Sequence, residues 1–110
     1  MKLPNAEHAI VEIAKLRDYS LDATHEEGKH KTHVFAAALG ISADDADWLR
    51  EKLLDAALRH ECVRGRNIPF GQRYVPDFPL TRSRLEARVR SVWNVRPGET
   101  EPRLITCYML

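Results

Sequence analysis

Leu85-Glu-Ala-Arg-Val-Arg-Ser-Val-Trp-Asn-Val-Arg96 carries the alternation on which the fold depends. At period two, Ala87, Val89, Ser91, Trp93 and Val95 share one face, and Glu86, Arg88, Arg90, Val92 and Asn94 share the other. Such a run predicts a half-buried strand that holds guanidinium groups on a rigid, open surface. Arg103-Leu-Ile-Thr-Cys-Tyr-Met-Leu110 alternates in the same way, and Pro97-Gly98 between the two runs is a turn signal. The runs are therefore expected to pair as a hairpin. With Ile105, Cys107 and Met109 sharing the core with Val89 and Val95, Thr106 and Tyr108 emerge beside Arg88 and Arg90. The result is a polar platform of phosphate-binding character.

Upstream of this hairpin the periodicity turns helical. Ala14 to Ser20 predicts about two helical turns, and Asp22 to Gly28 a polar loop. A helix from Lys29 places Val34, Phe35, Ala38 and Leu39 on one stripe and ends at Gly40. Ser42 followed by Asp45 forms a variant capping box for a longer helix reaching about His60. Its apolar face is Ala46, Leu49, Leu53, Ala56 and Ala57. Glycine and proline between Cys62 and Gly71 break that helix. Gln72 to Phe78 reads as a strand that Pro76 places at an edge or a bulge, and Thr81 to Arg84 as a turn. The expectation is α+β: two to three N-terminal helices packed on one face of a three- to five-stranded antiparallel sheet.

The 110 residues suit one domain over 1–110. No apolar run approaches the roughly 20 residues of a membrane span, and the first residues lack a signal-peptide core. Cys62 and Cys107 show neither metal-ligand spacing nor a disulfide-rich setting, so reduced thiols in a cytoplasmic protein are expected. The net charge of +1 hides an asymmetry. Residues 1–61 carry 8 Lys or Arg against 12 Asp or Glu, a balance of −4. Residues 62–110 carry 9 against 4, a balance of +5, and all nine cations are arginines. Arginine offers a planar fork that matches phosphate oxygens, so this half points to phosphate or carboxylate recognition. A solvated sheet face with Arg–Glu pairs is the plainer reading.

Four potential cations, His25, Lys29, His30 and Lys31, fall within seven residues. Lys31 lies on the apolar stripe yet in the first helical turn, where its stem can follow the core and its ammonium reach out at the helix end. His25, in the preceding loop, has the side chain best suited to acid–base work near neutral pH. His30 and His33 are three apart, but no carboxylate or cysteine completes a zinc set, so no metal and no cofactor are expected. Glycine-rich phosphate loops and hydrolase or metalloprotease signatures are missing. Trp48 and Trp93 suit packing, with Trp93, among the arginines, the stronger candidate for stacking on a base.

Five segments carry a resemblance. They are Leu3-Pro4-Asn5-Ala6-Glu7, His25-x-x-Gly28-x-x-Lys31-x-x-x-Phe35, Gly71-x-Arg73-Tyr74-x-x-Asp77, Val89-Arg90-x-x-Trp93 and Pro102-Arg103-Leu104-x-Thr106-x-Tyr108. In this order they resemble a small bacterial domain family of formally unknown function. Its members occur as stand-alone proteins and as C-terminal modules of polymorphic toxins and phage-head-associated proteins. The resemblance implies a toxin-type effector, related to metal-independent ribonucleases of the barnase and mRNA-interferase kind, with RNA as substrate. It also implies a cognate small antitoxin or immunity protein. The chain departs from the family at His25-Glu26, where members often have His-Pro. It departs again at Thr81-Arg-Ser-Arg84, where they have a glycine-containing turn.

The residues supply a matching inventory. Metal-free RNA cleavage needs a base for the 2′-hydroxyl, an acid for the leaving 5′-oxygen and cations around the phosphate. His25 would be the base or acid, Lys31 and Arg90 the clamps on the transition state, and Tyr108 a second proton donor or a positioning hydroxyl. Thr106 would orient the phosphate; Arg73, Arg88 and Arg103 would hold flanking phosphates, with Lys29 and Trp93 completing the substrate contacts. Two other classes stay open. A non-catalytic nucleic-acid- or protein-binding module would hold RNA and leave it intact. An inhibitor or assembly protein would not bind RNA.

Overall fold

The computed structural model describes residues 1–21 and 26–110, with side chains for all of these except Tyr19 and residues 26–32. After a 3₁₀ turn at Ala6–His8, α1 (Ile13–Lys15) runs straight into a π-helical turn, Leu16–Ser20. The Leu21 N–H reaches back five residues to the Leu16 carbonyl at 2.7 Å, and the wider turn buries Leu16, Ser20 and Leu21 together. Next come α2 (Glu26–Leu39) and α3 (Ala46–Arg59). Gly40 ends α2 with a φ of 65° and an N–H bond to Ala36 O at 3.0 Å, the left-handed exit that glycine adopts without strain. Before α3, the Asp45 carboxylate accepts from the Ser42 N–H at 3.0 Å, the expected reach-back of a capping box.

The α3 face is the one that periodicity selects: Ala46, Leu49, Leu53, Ala56 and Ala57 are buried. On α2, Phe35 and Leu39 are buried, but Val34 is exposed, so the stripe is narrower than expected. Among the described residues no helix is long and apolar enough to cross a membrane.

Four strands follow, β1 (Cys62–Ile68), β2 (Gly71–Arg82), β3 (Leu85–Val95) and β4 (Arg103–Met109). They form an antiparallel meander in the order β1-β2-β3-β4. The expected architecture and the β3–β4 hairpin are both present. Tight loops make the meander: Ile68 pairs with Gly71 across two residues, and Arg82 with Leu85 across Ser83-Arg84. Ser83 takes a φ of 54°, the positive value that such hairpin turns require.

The strands' inward residues are Tyr74, Phe78, Leu80, Val89, Ser91, Trp93, Leu104 and Cys107, all buried. They form one core with Phe35, Leu39, Leu49 and Leu53 of the helices. Burial of a side chain the size of Phe35 or Phe78 contributes roughly 1.5–3 kcal/mol. The first ten residues fasten both sheet edges. Lys2 bridges to Glu61 beside β1, while Ile10 exchanges bonds of 2.9 and 3.0 Å with Pro102 and Leu104 beside β4.

Four expectations need correction. Helix α2 starts at Glu26, inside the stretch to Gly28 expected as a loop and ahead of the expected start at Lys29. The stretch after Cys62 is more than a helix break: it is edge strand β1, whose mostly exposed residues show no alternation. Pro76 does not make β2 an edge, because β2 has β1 on one side and β3 on the other. Its missing N–H is accommodated where the β2–β3 ladder skips Val75 and Pro76. Lastly, Ile105 is the extra residue of a bulge, since Val92 faces Thr106 while Trp93 faces Leu104. Leu104, not Ile105, therefore turns into the core beside Cys107, and Ile105 is half-buried.

The gap at Pro76 organises a buried polar relay. The Trp93 indole N–H donates to Ser91 Oγ at 3.0 Å, and Ser91 donates to Pro76 O at 3.3 Å. Ser91→Ala should cost about 1–3 kcal/mol by stranding the indole donor. The double variant Ser91→Ala/Trp93→Phe should cost less than the sum of its single variants in urea unfolding. Strict additivity would mean that the relay carries no coupling.

Candidate functional site

The face of the sheet opposite the core is covered by no described helix, and its side chains fall into cross-strand rows. Asp77 lies opposite Arg90 and Arg90 opposite Tyr108, one row across β2, β3 and β4. Val92 faces Thr106 in the next row, and Arg73, Asn94 and Arg103 form the row beyond. On the other side, Arg88 lies opposite Pro79. Adjacent rows on one face are roughly 7 Å apart, two residues along a strand. Arg90, Thr106 and Tyr108 thus share a side, away from Cys107, because the bulge at Ile105 comes before Thr106 and leaves its parity intact.

Arg90 is the best-held group on this face. Its Nε and Nη2 donate to the two carboxylate oxygens of Asp77, both at 2.8 Å, and Tyr108 hydrogen-bonds to the same guanidinium. This hydrogen bonding to Asp77, more than any other contact, raises the Arg90 pKa. The same bonds hold the Asp77 carboxyl below the usual carboxylate range, against a smaller upward push from burial. The Arg88 charge adds to the lowering. Arg88 itself is exposed and, among the described residues, makes no ion pair. Arg103 sits at the far end of the face with Glu99 at 3.5 Å and Glu12 at 4.0 Å, a brace between β4, its preceding loop and the lead-in to α1.

Between β1, β2 and β3 the open face sinks into a concavity of about 370 Å³. Gly65, Arg66, Ile68, Arg73, Val75 and Val92 line it. The Arg73 Nε is buried there and finds no hydrogen-bond partner among the described residues.

The sheet therefore brings together Arg73, Arg88, Arg90, Thr106 and Tyr108, with Arg103 at the margin. Trp93 does not join them. It is fully buried on the core face, where no base can stack on its ring, because its parity in β3 is opposite to that of Arg90. His25 lies outside the described residues. Lys29 and Lys31 have backbone in α2, but their side chains also lie outside them. Asp77 is the residue that reasoning on cations passed over. Its signal was its placement four residues after Arg73, on the same outward parity of a strand.

The pairing has an acid signature. A carboxylate whose folded pKa is lowered stabilises the protein above its unfolded value, near 3.9, and loses that contribution as pH falls through the folded value. Asp77→Asn should therefore be less stable than the native chain at pH 6, with the gap closing below about pH 4. Unfolding midpoints at several pH values read this directly. A gap that stays constant from pH 6 to pH 3 would show that Asp77 gains nothing from Arg90.

No curated protein and no solved structure matches the chain. One family model does, across residues 2–110. By that match over nearly its whole length, the chain belongs to the DUF6883 family, a domain of unknown function.

Proposed function

We propose that this chain is a toxin-type effector that binds RNA on its open sheet face and cleaves it without a metal ion. The observation that carries the reading is the single row formed by Asp77, Arg90 and Tyr108, with Thr106 in the row beside it. The row presents a fixed guanidinium and hydroxyl groups on one rigid surface. Asp77 occupies Nε and Nη2 of Arg90 and so sets the orientation of the fork. The N–H groups engaged by neither Asp77 nor Tyr108 are left for a phosphate oxygen.

In the proposed chemistry the RNA 2′-oxygen attacks the adjacent phosphorus and the bond to the 5′-oxygen breaks. One group takes the 2′-hydroxyl proton, and another gives a proton to the leaving oxygen. His25 is one of these, and Tyr108 is the second donor or the hydroxyl that positions the phosphate. Arg90 and Lys31 hold the charge that builds on the phosphorane oxygens, Thr106 orients them, and Arg88 holds a flanking phosphate. Lys29, Arg73 and Arg103 are the remaining substrate cations. Such an activity acts on cytoplasmic RNA and needs a cognate antitoxin or immunity protein, for which the arginine face is the natural target.

A second reading, a module that binds nucleic acid without cleaving it, is favoured by one observation. The charge of Arg90 is already matched by Asp77 before any ligand arrives.

Purified protein incubated with total RNA in EDTA separates the two. Cleavage should yield 2′,3′-cyclic phosphate and 5′-hydroxyl ends. His25→Ala should slow it by about 10²–10⁴-fold, and Lys31→Met should lower the chemical step more than binding. Arg88→Ala should weaken binding and reduce its salt slope by about 1. Intact RNA with salt-dependent binding selects the binding module. Absence of both binding and cleavage removes either reading.

A further inference from the structure

The concavity beside the Asp77–Arg90–Tyr108 row has no task in phosphate chemistry as so far described. Its walls are Ile68, Val75 and Val92, three half-buried apolar side chains drawn from three strands. A surface whose only purpose was to carry phosphates would have no use for them. At about 370 Å³ the hollow falls within the size range of small-ligand sites. Two features of the fold open it. The β1–β2 register shifts between Arg64 and Asn67, which swings the edge strand away from its neighbour. Gly65 contributes no side chain, and a Cβ there would come within 3.2 Å of the Arg73 Cβ, so the wall is set by backbone and by Arg73 itself.

The polar groups in the hollow are of one kind. Arg66 and Arg73 are donors only. The carbonyls of three wall residues, Gly65, Arg66 and Arg73, already accept from Gln72 Nε2 at 2.9, 3.3 and 3.0 Å. Arg73 Nε is buried without an acceptor among the described residues. The two Nη groups of Arg73 are not enclosed in this way, and they are the donors that a ligand in the hollow would meet. The ligand that fits is flat, apolar on its faces and rich in acceptors on one edge.

Position identifies it further. Val92, in the wall, is opposite Thr106 and two residues from Arg90 on the same face. The hollow is thus one row, roughly 7 Å, from the proposed phosphate position. That is about the reach from a nucleotide's phosphate to its own base.

We infer that the concavity lined by Ile68, Arg73, Val75 and Val92 is a nucleobase subsite that selects guanine next to the bound phosphate. Guanine presents O6 and N7, two adjacent acceptors that match the arginine fork, whereas adenine puts a donor amino group beside its N7. The inference rests on the RNA-binding reading above and adds to it the identity of the base.

The test uses the intact chain and 2′-O-methyl hexanucleotides, which lack the attacking hydroxyl and so report binding alone. Five adenosines with one guanosine, uridine, cytidine or further adenosine serve as probes in fluorescence anisotropy. The guanosine probe should bind roughly 5- to 150-fold more tightly than the all-adenosine one, as expected of one bidentate arginine pair. Val92→Trp, which fills the hollow, should erase that preference yet keep salt-dependent binding of every probe, whereas Arg73→Leu, which loses both fork and charge, should erase it and weaken all four probes to one common level. Arg73→Lys retains the charge without the fork and should also lose most of the preference, which guards against a variant that merely fails to fold. Equal binding of all four probes by the native chain overturns the subsite and leaves the RNA reading standing. A preference for uridine or cytidine, or a guanosine preference that survives Arg73→Leu, overturns the assignment to guanine through Arg73. Binding of none of the probes overturns the subsite and the RNA reading together.

Discussion

The alternation of side chains along β3 is the constraint on which the molecule depends. Val89, Ser91 and Trp93 enter the core, so Arg88, Arg90 and Val92 have no choice but to leave it. Trp93 fixes this register twice over. Its ring is wholly enclosed, and its N–H is satisfied by Ser91, which in turn covers the carbonyl exposed by the ladder gap at Pro76. A slip of one residue would bury two guanidinium groups and expose the tryptophan, a change too costly for a domain of this size to survive. The apolar half of β3 thereby places the polar half, and the face opposite the helices is a product of core packing.

That open face must also be stable when nothing is bound to it. Arg88, Arg90 and Arg103, on different rows of one face, would repel one another, and the fold answers this by different means at each. Arg90 is locked by Asp77 across the strand, and Arg103 is braced by Glu99 and Glu12. Arg88 is left in solvent, where its charge costs little. The contrast separates their capacities. A fork held by a carboxylate can orient a ligand without swinging, whereas an exposed arginine contributes long-range attraction that salt screens. Rigidity at the centre and charge at the margin are what a site for a polyanion needs from a sheet.

Much of this arrangement was legible in the sequence, for identifiable reasons. Helices α2 and α3 and the β3–β4 hairpin announce themselves because each buries one face, so apolar periodicity matches geometry. Strand β1 does not, because an edge strand exposed over most of its length has no reason to alternate, and Gly65 and Asn67 depress its propensity. Pro102 warns of a bulge in the residues after it, but its place at Ile105 was hidden, since Leu104 and Ile105 are equally apolar and either could fill the core. Parity still placed Thr106 and Tyr108 correctly, as they follow the bulge. The partnership of Asp77 with Arg90 depends on the β2–β3 register, which period-two reading of single strands does not supply. The hollow at Arg73 was illegible for the same reason: it is built from three strands and exists only once they are paired.

Mapping whether and where RNA binds the chain tests the central proposal most directly. Backbone amide shifts of isotopically labelled protein would be followed while a non-cleavable single-stranded RNA is added. The account predicts that the largest changes gather at Arg73, Arg88, Arg90, Val92, Thr106 and Tyr108, on β2, β3 and β4, with α3 little affected. Changes confined to the outer surface of α3, around Glu51, Asp55 and Leu58, would contradict it, since they would put the nucleic acid on the opposite side of the molecule from the arginine rows.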